Sequence, residues 1–184
     1  MAETFQQRLQ RFKNNSPIEF IETILNSIHN FYIPELQMAA NNKQSNLLIL
    51  GLHSIIETIS ENVFLKKGAE GFKFYLENFV DIDEDGGRFS EIADELNDWR
   101  NIVAHQYISK LGHSFGYDYT ISNGYQVENG VIILNPKIFF DQFQSAFLAN
   151  GGRTKIKIWD YEKNIASDKM EEAKTKFLAK FENR

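Results

Sequence analysis

The chain has 184 residues, enough for one compact domain with its own core. Its composition, 42% hydrophobic and 24% charged, excludes the sparse, highly charged pattern of a disordered segment. Zero cysteines exclude disulfides, thiolate metal sites and a cysteine nucleophile, and a formal charge of −5 argues against a broad basic surface for duplex DNA. The absence of cysteine suits a reducing cytosol. The N-terminal MAETFQQRLQRFK is polar and amphipathic, without a secretory-type apolar run. The longest apolar patch, LLILGL at 47–52, is too short to span a bilayer. The expectation is a cytoplasmic protein with no membrane partner.

An amphipathic segment opens the chain. Phe20, Ile21, Ile24, Leu25, Ile28 and Phe31 then follow helical spacing over 18–31, until Pro34 interrupts the pattern. A central helix is predicted over 45–65, carrying Leu48, Leu52, Ile55, Ile56, Ile59 and Val63. A shorter one is expected over 69–79, before the acidic turn DIDEDGG. The next helix starts near Ser90, with Glu91, Asp94 and Glu95 early, where carboxylates suit the helix dipole. It is expected to run to about Lys110 and stop at Gly112, as helices do at glycine.

The pattern then changes. YDYTISNGYQVENGVIIL holds two Asn-Gly pairs, Asn123-Gly124 and Asn129-Gly130, between β-rich segments, which predicts a three-stranded antiparallel meander leaning on the helices. Asn135-Pro136 reads as an N-cap and first helical residue for a helix with Ile138, Phe139, Phe143 and Phe147, ending at Gly151-Gly152. RTKIKIW at 153–159 alternates like an edge strand, and Met170, Phe177, Leu178 and Phe181 mark a last helix. The fold expected is mainly α: a single domain over 1–184, with a helical bundle at 1–112, the small meander at 113–135 and C-terminal helices at 136–184.

The helix near residue 100 raises the functional question. On a wheel of about 100° per residue, Phe89, Ile92, Leu96, Trp99, Val103 and Tyr107 form one stripe that faces the core. Asn101 and His105, one turn apart, fall almost opposite it, and Arg100 lies on the border. Apolar Ala104, Ile108 and Ile102 flank the Asn/His pair, so the second face is expected to meet another helix or a second subunit. No acid stands three or four positions from Arg100, which leaves it for an external anion or for a distant carboxylate.

The run R-N-I-V-A-H, late in a series of amphipathic helices, resembles the motif of the HEPN superfamily (higher eukaryotes and prokaryotes nucleotide-binding domains). That family is a helical bundle marked by Arg and His four to six residues apart, often with Asn after the Arg. The resemblance covers about residues 18–112. It implies a homodimeric, metal-independent endoribonuclease of toxin or phage-defence type, needing no cofactor and held in check by an antitoxin where one exists. His105 would move protons near neutral pH, Arg100 would hold the scissile phosphate, and Asn101 would orient the imidazole or bind a phosphate oxygen. The products would be a 2′,3′-cyclic phosphate and a 5′-hydroxyl, with DNA left uncut. Two other readings stay open: a non-catalytic module binding nucleotide, RNA or protein, and a helical dimerisation protein.

His53 and Glu57, one turn apart on the central helix, are candidates to line the same cleft, though a core-edge histidine bonded to its neighbour is the commoner arrangement. Arg153, Lys155 and Lys157 fall on one side of the edge strand and are candidate phosphate contacts, or simply lysines that protect an edge. DIDEDGG starts like a calcium loop, but position twelve is Ile92, so a solvated acidic turn is expected. The four histidines show no zinc spacing, and no metal is expected.

Overall fold

The computed structural model describes residues 4–82, 86–106, 115–147 and 165–182, and the side chains of His105, Gln106 and Glu182 lie outside that description. Helix α1 (Phe5–Asn14) starts in a capping box, in which Thr4 and Gln7 satisfy each other's backbone N–H groups. Helix α2 (Pro17–Ser27) repeats the device with Ser16 and Glu19, and places Pro17 where a helix tolerates proline. Phe20, Ile21 and Leu25 are its buried face.

Pro34 does not break the chain here. A π-helical turn (Ile28–Tyr32) joins α2 to α3 (Ile33–Asn41), and the Ile33 N–H reaches back five residues to the Ile28 carbonyl. Widening the ladder just before the proline accommodates its missing N–H and its ring. The same device closes helix α5 (Gly68–Tyr75): a π turn (Leu76–Val80) follows, with the Asp81 N–H bonded to the Leu76 carbonyl.

Helix α4 (Ser45–Asn62) is the centre of the molecule, packed by α3, α5, α6 (Ala93–Gln106), α7 (Pro136–Phe147) and α8 (Ser167–Glu182). Leu48, Leu52, Ile56 and Ile59 are fully buried on it. Being surrounded, α4 has to hide more than one stripe, which brings His53 and Ser60 inside as well. The expected helix starting at Ser90 instead opens as a 3₁₀ turn (Phe89–Ile92) ahead of α6. Ser90 is not its cap. Buried Asp81 takes that role from afar, accepting from the N–H groups of Phe89 and Ser90. Burial raises the Asp81 carboxyl above its ordinary value against the pull of those bonds. Asp81 is therefore not part of a solvated turn; residues 83–85 of the acidic run lie outside the described residues. The expected stop at Gly112 does too.

Among the described residues, three strands lie between α6 and α7, β1 (Phe115–Tyr117), β2 (Tyr125–Glu128) and β3 (Val131–Leu134), but they are not a meander. Their order is β1-β3-β2, with β2 antiparallel and β1 parallel to β3. Asn129-Gly130 makes the expected tight turn, both residues at positive φ. Gly124 serves another purpose: it is tucked against Phe89 and the Gly86 carbonyl, where a Cβ would collide with both. With that loop pinned, β2 pairs on the far side of β3 and β1 fills the remaining edge. Asn135 caps α7 as expected, its Oδ1 accepting from Lys137 and Ile138, while its Nδ2 donates to the carbonyls of Tyr119 and Ile121.

The sheet rests on α6 through Trp99, whose ring stacks on Phe115 and whose indole N–H donates to the Tyr117 hydroxyl. That hydroxyl donates on to Asn46 Oδ1 at the start of α4. The predicted stripe runs along the 3₁₀ turn and α6, with Phe89, Ile92, Leu96 and Trp99 buried and Val103 packed against the core, while Tyr107 lies outside the described residues. The molecule is thus mainly helical with a small β appendage. Among the described residues no helix is long and apolar enough to cross a membrane.

Candidate functional site

Helices α4 and α6 bring four of the five residues singled out on them, His53, Glu57, Arg100 and Asn101, into one cluster around the Glu57 carboxylate. Glu57 Oε2 accepts from Arg100 Nη2 at 2.9 Å, and His53 Nδ1 lies 3.4 Å from the same oxygen. Arg100 Nη1 donates to Asn101 Oδ1 at 2.8 Å. The i,i+4 spacing of His53 and Glu57 stacks them on α4, and Arg100, at the border of the buried stripe of α6, swings toward them. The acid that Arg100 lacks on its own helix is supplied by another one.

The two basic groups differ in environment. The His53 side chain is 1% exposed and its ring stacks on Phe72 of α5, centroids 4.1 Å apart. Neither ring nitrogen has a hydrogen-bond partner among the described residues, so Nδ1 lies near Glu57 without a directed bond. Burial pushes the His53 pKa down, Glu57 opposes that, and Arg100 adds to it. The ring is therefore neutral near pH 7. His53 does not line an open cleft; it sits on the core side, the commoner of the two arrangements, because α4 is surrounded by other helices that enclose it. Arg100 and Glu57 are different, with side chains 28% and 23% exposed, reachable from solvent while still fixed.

Asn101 is half-buried, and its carbonyl end is turned to Arg100 rather than along the helix toward His105. His105 continues α6 one turn beyond Asn101. The imidazole of His105, and Arg153, Lys155 and Lys157, lie outside the described residues. Sequence reasoning missed Asn97, which faces His53 from α6. The signal was present: Asn97, Asn101 and His105 recur every four residues, a polar row along one side of the helix. It missed Phe72 as well, because a stacking partner on another helix leaves no local trace.

Chemically, the arrangement presents an oriented guanidinium, already neutralised in part, at the edge of a buried imidazole. A guanidinium has five N–H donors in a planar fork, and the bonds to Glu57 and Asn101 use one on each terminal nitrogen. Such a group can add a phosphate oxygen without leaving its carboxylate. Among the described residues no cluster of three or more metal-ligating side chains occurs. Compared with known proteins, the chain matches no protein family, no curated protein and no solved structure.

Proposed function

We propose that the chain is a HEPN-like endoribonuclease that cleaves RNA without a metal ion, using Arg100, Asn101 and His105 on α6. The observation that carries the reading is the Arg100 guanidinium, pinned between α4 and α6 by Glu57 and Asn101 yet 28% exposed. Pre-oriented donors aimed at a developing charge are what phosphoryl chemistry needs, since they require no reorganisation during the reaction. In this scheme Arg100 takes a non-bridging oxygen of the scissile phosphate. His105 removes the proton of the ribose 2′-OH or returns one to the departing 5′-oxygen. Two copies meeting through α6 divide those two tasks between their histidines. Glu57 is a positioning residue: it touches Arg100, not RNA. A toxin or defence role, with a protein antitoxin, follows from the family resemblance alone.

The ion pair also favours a second reading, in which Arg100 ties α4 to α6 in a non-catalytic module that binds RNA, nucleotide or protein, or simply dimerises. Product chemistry separates the two. Incubation with single-stranded RNA in EDTA, from about pH 5.5 to about pH 8.5 across the imidazole range, is expected to yield 2′,3′-cyclic phosphate ends. Substrates with a 2′-deoxy residue at the cut site are expected to survive. Intact RNA throughout that range leaves only the second reading.

A further inference from the structure

The first helix has no buried residue, yet its apolar side chains line one wall of a half-open cleft of about 680 Å³ between α1, α2 and α8. Phe5, Leu9 and Phe12 recur along one face of α1. Phe31 comes from the π turn after α2, and Phe177 and Phe181 from α8. The rings form a connected wall: Phe5 lies 6.2 Å from Phe181, Phe181 5.0 Å from Phe177, and Phe177 5.7 Å from Phe12. Phe5 and Phe31 are 54% and 68% exposed, so this wall is not fully covered by the protein itself.

Its polar lining is selective. Thr23 and Ser27 donate their hydroxyls to carbonyls of their own helix, which leaves the floor apolar in effect. The only ionic lining residues described are Arg8 and Arg11, in a chain where acids outnumber basic residues 25 to 20. The Arg11 guanidinium carbon sits 5.9 Å from the Phe12 ring centroid, at the boundary between apolar wall and water. A guanidinium with five donors can add an anion to the contacts that these arginines already make. The C-terminal end of α1 is anchored, because Lys174 of α8 donates to the carbonyls of Lys13 and Asn15. The wall is therefore a built surface.

An apolar floor, an aromatic wall and a cationic rim match one ligand chemistry. We propose that this cleft binds a free anionic amphiphile, a medium-chain acyl carboxylate, with its tail against the phenylalanines and its head on Arg8 and Arg11. A pocket of this size and lining suits a small ligand. Among the described residues its floor has only the Thr23 and Ser27 hydroxyls, whose protons are already given to their own helix, so a nucleobase would gain little there over an alkyl chain. The assignment is independent of any ribonuclease activity.

Isothermal titration of the full chain with sodium dodecanoate below its micelle concentration tests it. Saturable binding of one ligand per chain is expected, weakening roughly tenfold for each two methylenes removed from the tail. Arg8→Glu/Arg11→Glu is expected to weaken binding at least about tenfold through the lost charge pairing. Phe31→Ser is expected to weaken it several-fold, both variants keeping the wild-type circular dichroism spectrum because the changed residues are exposed. Dodecyltrimethylammonium, with the same tail and opposite charge, is expected to bind far less. Absence of dodecanoate binding, equal binding of the cationic amphiphile, or indifference to the arginine changes would each overturn the assignment. So would binding to anionic vesicles without binding to monomeric dodecanoate, or a dimer that dissociates in the arginine variant.

Discussion

Glu57 holds Arg100 across 43 residues of chain, Oε2 to Nη2 at 2.9 Å, and so joins the central helix to the helix that carries the Arg-Asn-His run. Both side chains are about three-quarters buried, which places the pair between a weak surface bridge and a costly interior one. A double-mutant cycle of Glu57→Ala and Arg100→Ala should return a coupling of about 1 kcal/mol in urea unfolding. Glu57→Gln keeps an acceptor for Arg100 and should lose less stability than Glu57→Ala. Strictly additive single effects would mean that the contact contributes nothing.

His53 predicts a pH dependence of known sign. Its folded pKa lies below the ordinary 6.5 because burial disfavours the charged ring. Between those two values the unfolded chain binds a proton that the native ring refuses. Stability from this residue is therefore complete above about pH 6.5 and is lost as pH falls toward the folded pKa. Asp81, whose carboxyl is raised, works in the opposite direction, so it cannot imitate the effect. Urea midpoints should fall from about pH 7 to about pH 5.5, and His53→Leu should flatten that slope. An unchanged slope in the variant would assign it to another group.

Gln142 is buried on α7 and staples both ends of the acidic loop. Its Oε1 accepts from the Gly86 N–H at 2.8 Å, and its Nε2 donates to the carbonyls of Val80 and Gly87 at 2.9 and 3.0 Å. Gln142→Leu fills a similar volume but leaves three backbone groups without partners. A loss of about 2–3 kcal/mol is expected, together with faster hydrogen exchange at Gly86. Gln142→Glu preserves only the bond from Gly86 and should also destabilise. Wild-type stability in both would show that the loop is held otherwise.

Tyr75 gives the reverse case. Its hydroxyl is fully buried, has no partner among the described residues, and burial drives its pKa far upward. Tyr75→Phe removes an unsatisfied polar atom and keeps the ring beside Phe79 and Phe143. Thermal unfolding should show equal or higher stability, by up to about 1–2 kcal/mol. A clear loss would reveal a hydrogen bond at that hydroxyl.

How much of this was legible in the sequence depends on the range of the interaction. Periodic apolar faces gave the helices, including the buried stripe of Phe89, Leu96 and Trp99, because core burial imposes a local period. Local capping chemistry gave Asn135 and the Asn129-Gly130 turn. The strand order was not legible: Gly124 follows Asn123 as a turn glycine would, but its fit against Phe89 is set by parts of the chain far away in sequence. The cap on the 3₁₀ turn ahead of α6 was not legible for the same reason, since Asp81 reaches it across the acidic loop. At the site, His53 and Glu57 were visible as neighbours by spacing. That Glu57 would serve Arg100 depended on how α4 crosses α6, which neither helix encodes alone.

Cleavage of a fluorescent single-stranded RNA in EDTA by wild type, Arg100→Ala, His105→Ala and Glu57→Gln tests the central claim most directly. The account predicts losses of at least about a hundredfold for His105→Ala, the proton-transfer group, and for Arg100→Ala. Glu57→Gln should lose less and mainly in kcat, with RNA binding preserved, because it orients Arg100 without touching substrate. Unfolding midpoints near wild type would exclude loss of fold as the cause. Equal cleavage by all four proteins, or none by the wild type, would contradict the claim and leave Arg100 as a strut between two helices.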